Sequence, residues 1–136
     1  MIIVTPNILS LRNRKIIFGV SGSIAIYKSL EVLRLLVEEG AKVYVVMSAN
    51  ATKFITPLTF EALSGNPVYH QVFDNNSSLS MEHIRVAESA DLLLIAPATA
   101  GMIGKMANGI ADDALSNLFI AFCGPSIIAP AMNDGM

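Results

Sequence analysis

Apolar residues run unbroken where strands are expected and recur at helical spacing between them. Lys15 to Val20 (KIIFGV) is a short β-rich run ending in Ser21-Gly22-Ser23, after which Ile26, Leu30, Leu33 and Val37 predict a helix that Gly40 closes. Lys42 to Met47 (KVYVVM) follows as a second strand, and its apolar continuity predicts two covered faces, as in a parallel sheet under helices. Ala49 to Leu63 carries helical fragments broken at Pro57, and Gly65-Asn66-Pro67 ends them before a weaker strand at Val68 to Val72. Asp74 to Ser80 is a polar loop that leads through Met81-Glu82-His83-Ile84 into a short helix ending near Ala90. Asp91 to Ala96 (DLLLIA) is the most hydrophobic strand, and Pro97-Ala98-Thr99 opens a helical region containing Gly104 and Gly109. Asp112-Asp113 reads as the N-terminal charge pair of another helix through Phe122, and Ser126 to Ala129 as the last strand.

Five strands alternating with helices predict an α/β fold with a doubly wound parallel sheet and right-handed crossovers. With 136 residues the chain is one domain's worth. Residues 1–14 are expected to be a leader or a packing arm, and 15–136 the domain. A doubly wound sheet normally adds a helix after its last strand, so the functional protein is expected to continue past Met136.

Composition narrows the function classes. Hydrophobic residues make up 53% and charged residues 15%, far from the balance that keeps a chain disordered. Nine basic against 11 acidic residues leave a net charge of −2, so polyphosphate backbones are not attracted globally and nucleic acid drops out as a partner. The single Cys123 makes neither an internal disulfide nor a zinc site, and a reducing cytoplasm is the expected location. The charge-free run from Ala114 to Asn133 is long enough to span a membrane, but Gly124, Pro125 and Pro130 break it, and it reads as a buried helix, a turn and a buried strand. Arg12, Arg14 and Lys15 follow the apolar start where a signal peptide would place them first.

In open α/β sheets ligands bind beyond the carboxyl ends of the strands, where Gly22-Ser23, Ser48, Pro97-Ala98-Thr99 and Pro130-Ala131-Met132-Asn133 all fall. Gly19 to Ile24 does not spell a dinucleotide fingerprint, and Ser48 stands where an acid would hold a ribose, which disfavours NAD. Gly22 to Ser29 nearly spells a phosphate-binding nucleotidase loop, but Tyr27 replaces its second glycine. What remains is a helix N-terminus with the hydroxyls of Ser21, Ser23 and Ser48, suited to one terminal phosphate such as that of FMN; a tight turn with no ligand is the competing reading. His70 reads as structural and Cys123 as a core thiol, whereas His83, at the start of a helix after a polar loop, suits proton handling. No second ligand stands near His83, so no metal is expected, and Asp112-Asp113 reads as capping.

Five segments in order carry a resemblance: G-S-I-A at Gly22 to Ala25, M-E-H-I at Met81 to Ile84, A-P-A-T-A at Ala96 to Ala100, A-N-G-I-A-D-D at Ala107 to Asp113 and P-A-M-N-x-x-M at Pro130 to Met136. Together they resemble the homo-oligomeric flavin-containing cysteine decarboxylases, most of all the phosphopantothenoylcysteine decarboxylases and the amino-terminal half of the bifunctional bacterial coenzyme A biosynthesis flavoprotein. The resemblance implies a Rossmann-like (flavodoxin-like), three-layer α/β/α fold and an FMN cofactor. It implies assembly as trimers or dodecamers with the active site between subunits. The implied reaction is the oxidative decarboxylation of 4'-phosphopantothenoylcysteine to 4'-phosphopantetheine in coenzyme A biosynthesis. By motif, His83 is the active-site histidine and Asn133 the substrate-binding asparagine. Gly22, Ser23, Ile24 and Ser48 fall on the FMN phosphate side, and Ala98, Thr99 and Met132 line the ring or its ribityl chain. Gly101 stands where many members carry Asn or Asp. The reductive-step cysteine of the family lies on a substrate clamp beyond the P-x-M-N segment; Cys123 precedes that segment and is not its counterpart, so the clamp is expected to be missing, as is the synthetase domain. A peptidyl-cysteine decarboxylase, a flavin prenyltransferase relative and a non-catalytic flavin-binding regulatory subunit are the alternatives.

Overall fold

Four parallel strands form the sheet among the residues that the computed structural model describes, 10–72 and 85–136. They are β1 (Lys15–Val20), β2 (Lys42–Met47), β3 (Leu92–Ala98) and β4 (Ser126–Pro130), in the spatial order β2-β1-β3-β4. Parallel neighbours require long crossovers. Helix α1 (Ile26–Glu38) supplies the one between β1 and β2; α2 (Pro57–Ser64) lies between β2 and β3, and α3 (Ala100–Asn108) and α4 (Ala114–Ala121) between β3 and β4. Residues 85–89 are helical as well.

The two-residue period of β1 divides the core. Ile16, Phe18 and Val20 join Leu33 of α1 and Phe60 of α2 on one face, and Ile17 joins Met102 of α3 and Leu115 and Leu118 of α4 on the other. Each such large side chain contributes roughly 1.5–3 kcal/mol by leaving water. Helices therefore cover both faces, and the doubly wound, flavodoxin-like α/β fold stands. The chain leaves β1 towards β2 on one side and β3 on the other, so the order reverses between β1 and β3. Their carboxyl ends frame the crevice.

Several expectations change. Val68 to Val72 is not a fifth strand: Tyr69 makes one isolated bridge to Val46, with Met47 N donating to Tyr69 O at 2.8 Å and Tyr69 N to Val45 O at 3.0 Å. Pro67 offers no donor to extend that ladder. β3 runs on to Ala98 where a helix was expected to open, because the Pro97 carbonyl is held by Ser21 at the end of β1. β4 is not a buried strand. All five of its residues are exposed, since it sits at the sheet edge and no described element covers it. Cys123 is exposed rather than a core thiol, because α4 ends at Ala121 before reaching it.

At the amino ends of the strands, residues 10–14 pack as an arm. Leu11 N donates to Glu39 O, Lys42 N to Arg14 O, and Lys15 N to the Asp91 carboxylate at 2.9 Å. Gly40, the expected helix stop, has φ 89°, a conformation that glycine adopts without a Cβ penalty.

Candidate functional site

The loop after β1 turns into α1 with little internal hydrogen bonding. Ser23 Oγ accepts from Ala25 N at 3.2 Å and Ser23 O from Ile26 N at 3.0 Å, while the amides of Gly22, Ser23 and Ile24 have no partner among the described residues. Gly22 is required here by close approach: a Cβ on it would stand 2.5 Å from Asn50 Cβ and 2.8 Å from the Asn50 carbonyl carbon. Across the crevice Thr99 caps α3, its Oγ1 accepting from Met102 N at 3.1 Å, which leaves the amides of Ala100 and Gly101 open at the first turn. The third side is the segment after β4, where Ala131 N extends the ladder to Ala98 O and Met136 N closes a turn on Asn133 O.

These three loops enclose a cavity of about 540 Å³, lined by Gly22 to Ala25, by Thr99 to Gly101, by Ala131 to Asn133 and by Phe54 and Met136. No charged side chain is among these residues. An anion bound here would be held by backbone amides, hydroxyls and two helix N-termini. Ile24, Phe54, Met132 and Met136 supply exposed apolar surface at the same place.

Of the residues expected at the site, Gly22, Ser23, Ile24, Thr99, Met132 and Asn133 line this one cavity. Ser48 and Ala98 do not. Ser48 is buried, with its Oγ turned to accept from Ala51 N at 3.2 Å, and Ala98 is fully buried in the core against α3. Ser21, read as a phosphate hydroxyl, is buried as well and bonds Pro97 and Thr99 instead. His83 lies outside the described residues. Phe54 was missed, although an apolar residue among the polar ones after β2 was a usable signal; Gly101 had been noted as a departure after A-P-A-T-A, and Met136 closes the P-A-M-N-x-x-M motif.

A second cavity of about 530 Å³ lies beyond β2, lined by His70, Asp112, Asp113 and Asn117 among others. Its carboxylates are engaged. Asp112 pairs with Lys105 at 2.8 Å, a hydrogen bond that lowers the Asp112 pKa and raises that of Lys105. Asp113 caps α4, accepting from Ser116 N at 2.9 Å, Ser116 Oγ at 2.7 Å and Ala49 N at 3.2 Å. Capping is thus the role of Asp113, as the sequence indicated. Asp113→Ala removes the cap and orphans the Ala49 amide, and is expected to lower the unfolding free energy by about 2–3 kcal/mol in urea titration. A loss under 0.5 kcal/mol would show that the Ala49 contact carries no load.

Known proteins resemble the chain in sequence and in fold. The chain is 51% identical over 127 residues to the coenzyme A biosynthesis bifunctional protein CoaBC of Vibrio cholerae, covering 93% of this chain and 32% of that protein. It therefore spans about a third of the length of the curated relatives it matches. Among solved structures it is similar to the FMN-dependent cysteine decarboxylase TvaF from thioviridamide biosynthesis, with TM-score 0.82 and 28% identity over 90% of this chain and 76% of that one. It is also similar to a cysteine-to-serine mutant of PPC decarboxylase complexed with pantothenoylaminoethenethiol, with TM-score 0.74 and 28% identity over 90% of this chain and 69% of that one. The Flavoprotein family model matches residues 5–136, and the chain belongs to that family.

Proposed function

We propose that the cavity binds FMN and that the protein uses it to decarboxylate 4'-phosphopantothenoylcysteine oxidatively, towards 4'-phosphopantetheine in coenzyme A biosynthesis. The observation that carries this reading is the convergence of the Gly22 to Ile24 amides, the α3 N-terminus and Asn133 on one cavity. Donors without a fixed cation suit a phosphate dianion, and Ile24, Phe54 and Met132 suit the faces of an aromatic ring. The identity of about half to CoaBC points to the small phosphorylated substrate.

When bound, FMN would supply a reversible two-electron carrier that takes electrons from the thiol-bearing end of the substrate and returns them after CO2 has left, so that the overall reaction is redox-neutral. The chain's own residues bind and orient. The Asn133 amide N–H donates to the substrate carboxylate or to the amide beside it, and His83 carries a proton. The apolar wall excludes water, which strengthens every hydrogen bond made inside it. In this reading residues 15–136 form the flavoprotein domain and 1–14 a leader or packing arm. The protein works as a trimer or dodecamer in the cytoplasm, supported by the uncovered apolar residues Ile127 and Ile128; no helix among the described residues is long and apolar enough to cross a membrane.

A cysteine decarboxylation outside coenzyme A biosynthesis, on a peptidyl cysteine, is the second reading, kept because the structural similarity to TvaF, a cysteine decarboxylase of thioviridamide biosynthesis, exceeds that to PPC decarboxylase. FMN-loaded protein is expected to release CO2 from 4'-phosphopantothenoylcysteine. Release only from a peptide ending in cysteine selects the second reading. A yellow protein inert to both substrates is a flavin-binding subunit, and failure to take up FMN overturns all three.

A further inference from the structure

We propose that Ser21 is a positioning residue for the flavin site: its hydroxyl fixes the α3 side of the cavity against the β1 side. The inference rests on the FMN reading above. Backbone pairing between β1 and β3 ends at Gly19↔Ile95, and the next outward position, Pro97, has no N–H to continue it. Beyond that point Ser21 ties the two strands, once through its backbone N–H and, separately, through its hydroxyl. Its N–H donates to Pro97 O at 3.1 Å, its Oγ donates to the same carbonyl, and that Oγ accepts from Thr99 N at 3.0 Å. The side chain is 1% exposed, so it touches no ligand, and only a group that donates and accepts at one atom can make both bonds.

What it holds are the cavity walls on each side. Gly22 and Ser23 follow it directly, and Thr99 begins α3, whose Ala100 and Gly101 amides line the opposite wall. Without the hydroxyl, Thr99 N loses its acceptor and only the Ser21 N–H still holds the Pro97 carbonyl, so the first turn of α3 is held less firmly against the glycine turn. A phosphate held from both walls then loses the preorganisation of its donors.

The test is Ser21→Ala, with Asp91→Ala as a control that removes a comparable interstrand hydrogen bond at the far end of the sheet. FMN binding is followed by fluorescence quenching well below both melting temperatures. Ser21→Ala is expected to raise the FMN dissociation constant about tenfold or more while Asp91→Ala leaves it within twofold. Amide hydrogen exchange without flavin is expected to speed up at Thr99 and Met102, the two bonded amides there, and not in β2. Equal FMN affinity of Ser21→Ala and wild type, or unchanged exchange at Thr99, overturns the proposal. If Ser21→Ala does not fold, Ser21→Cys keeps the volume with weaker hydrogen bonding, and wild-type affinity in that variant overturns it equally. Failure of the wild type to bind FMN overturns the flavin reading instead, and the exchange result then decides the role of Ser21 alone.

Discussion

Gly22→Ala is expected to weaken FMN binding by about 10- to 100-fold while leaving a folded protein. The reason is steric and local. The added methyl would stand 2.5 Å from Asn50 Cβ and 2.8 Å from its carbonyl carbon, and neither is the far end of a flexible side chain. Either the glycine turn or the loop after β2 has to move. That loop is the stiffer of the two: Ala51 N is bonded to Ser48 O and Ser48 Oγ, Ala49 N is tied to Asp113 at the start of α4, and Ala51 is fully buried. The glycine turn, with three unpartnered amides, gives way instead. Displacing those amides changes where a phosphate would be held, and overpacking of this kind costs about 1–3 kcal/mol. Fluorescence titration gives the affinity and thermal unfolding of the flavin-free protein gives the stability. An affinity within twofold of wild type would mean that the turn does not hold the phosphate.

The elements that were legible in the chain are those whose residues meet the same environment along their whole length. β1, β2 and the core of β3 are central or covered, and their apolar runs mark them. The helix stop at Gly40 and the cap at Asp113 were legible because each depends on one residue's own conformational or hydrogen-bonding property. The misreadings share a cause in contacts between distant residues. β3 extends to Ala98 because Ser21, 76 positions from Pro97, donates to it. Val68 to Val72 has the composition of a strand, but Pro67 withholds a donor and only Tyr69 bridges β2. Ile127 and Ile128 were expected under cover, yet hydrophobicity says only that a residue gains from burial. Whether anything covers it depends on the order of the strands.

The candidate site shows the same division. Motif order places Gly22, Ser23, Thr99, Met132 and Asn133 at strand ends, and the parallel sheet brings all those ends to one rim. Side-chain direction is a finer property. Ser48 and Ala98 sit at strand ends too, but Ser48 Oγ turns back to cap the residues after it, and Ala98 packs into the core with Met102. The hydroxyls assigned to a ligand were divided by the fold: Ser23 lines the cavity, Ser21 holds its walls, and Ser48 closes a turn.

His83→Asn is expected to reduce turnover by about 10²- to 10⁴-fold and to leave the protein yellow. General acid–base catalysis by a positioned side chain contributes a factor of that order, and asparagine keeps hydrogen-bonding capacity without carrying a proton near neutrality. The cavity walls explain why the flavin should stay. The hydrogen-bonding groups proposed for the phosphate come from Gly22 to Ile24 and the first turn of α3. In the proposed reading binding and chemistry rest on different parts of the chain, and one substitution tests their separation. CO2 release measured beside visible flavin absorbance gives both quantities from a single preparation. Wild-type turnover in the variant would remove His83 from the proton path. A colourless variant would mean instead that the histidine builds the flavin site, and the proton would then have to be carried by another group.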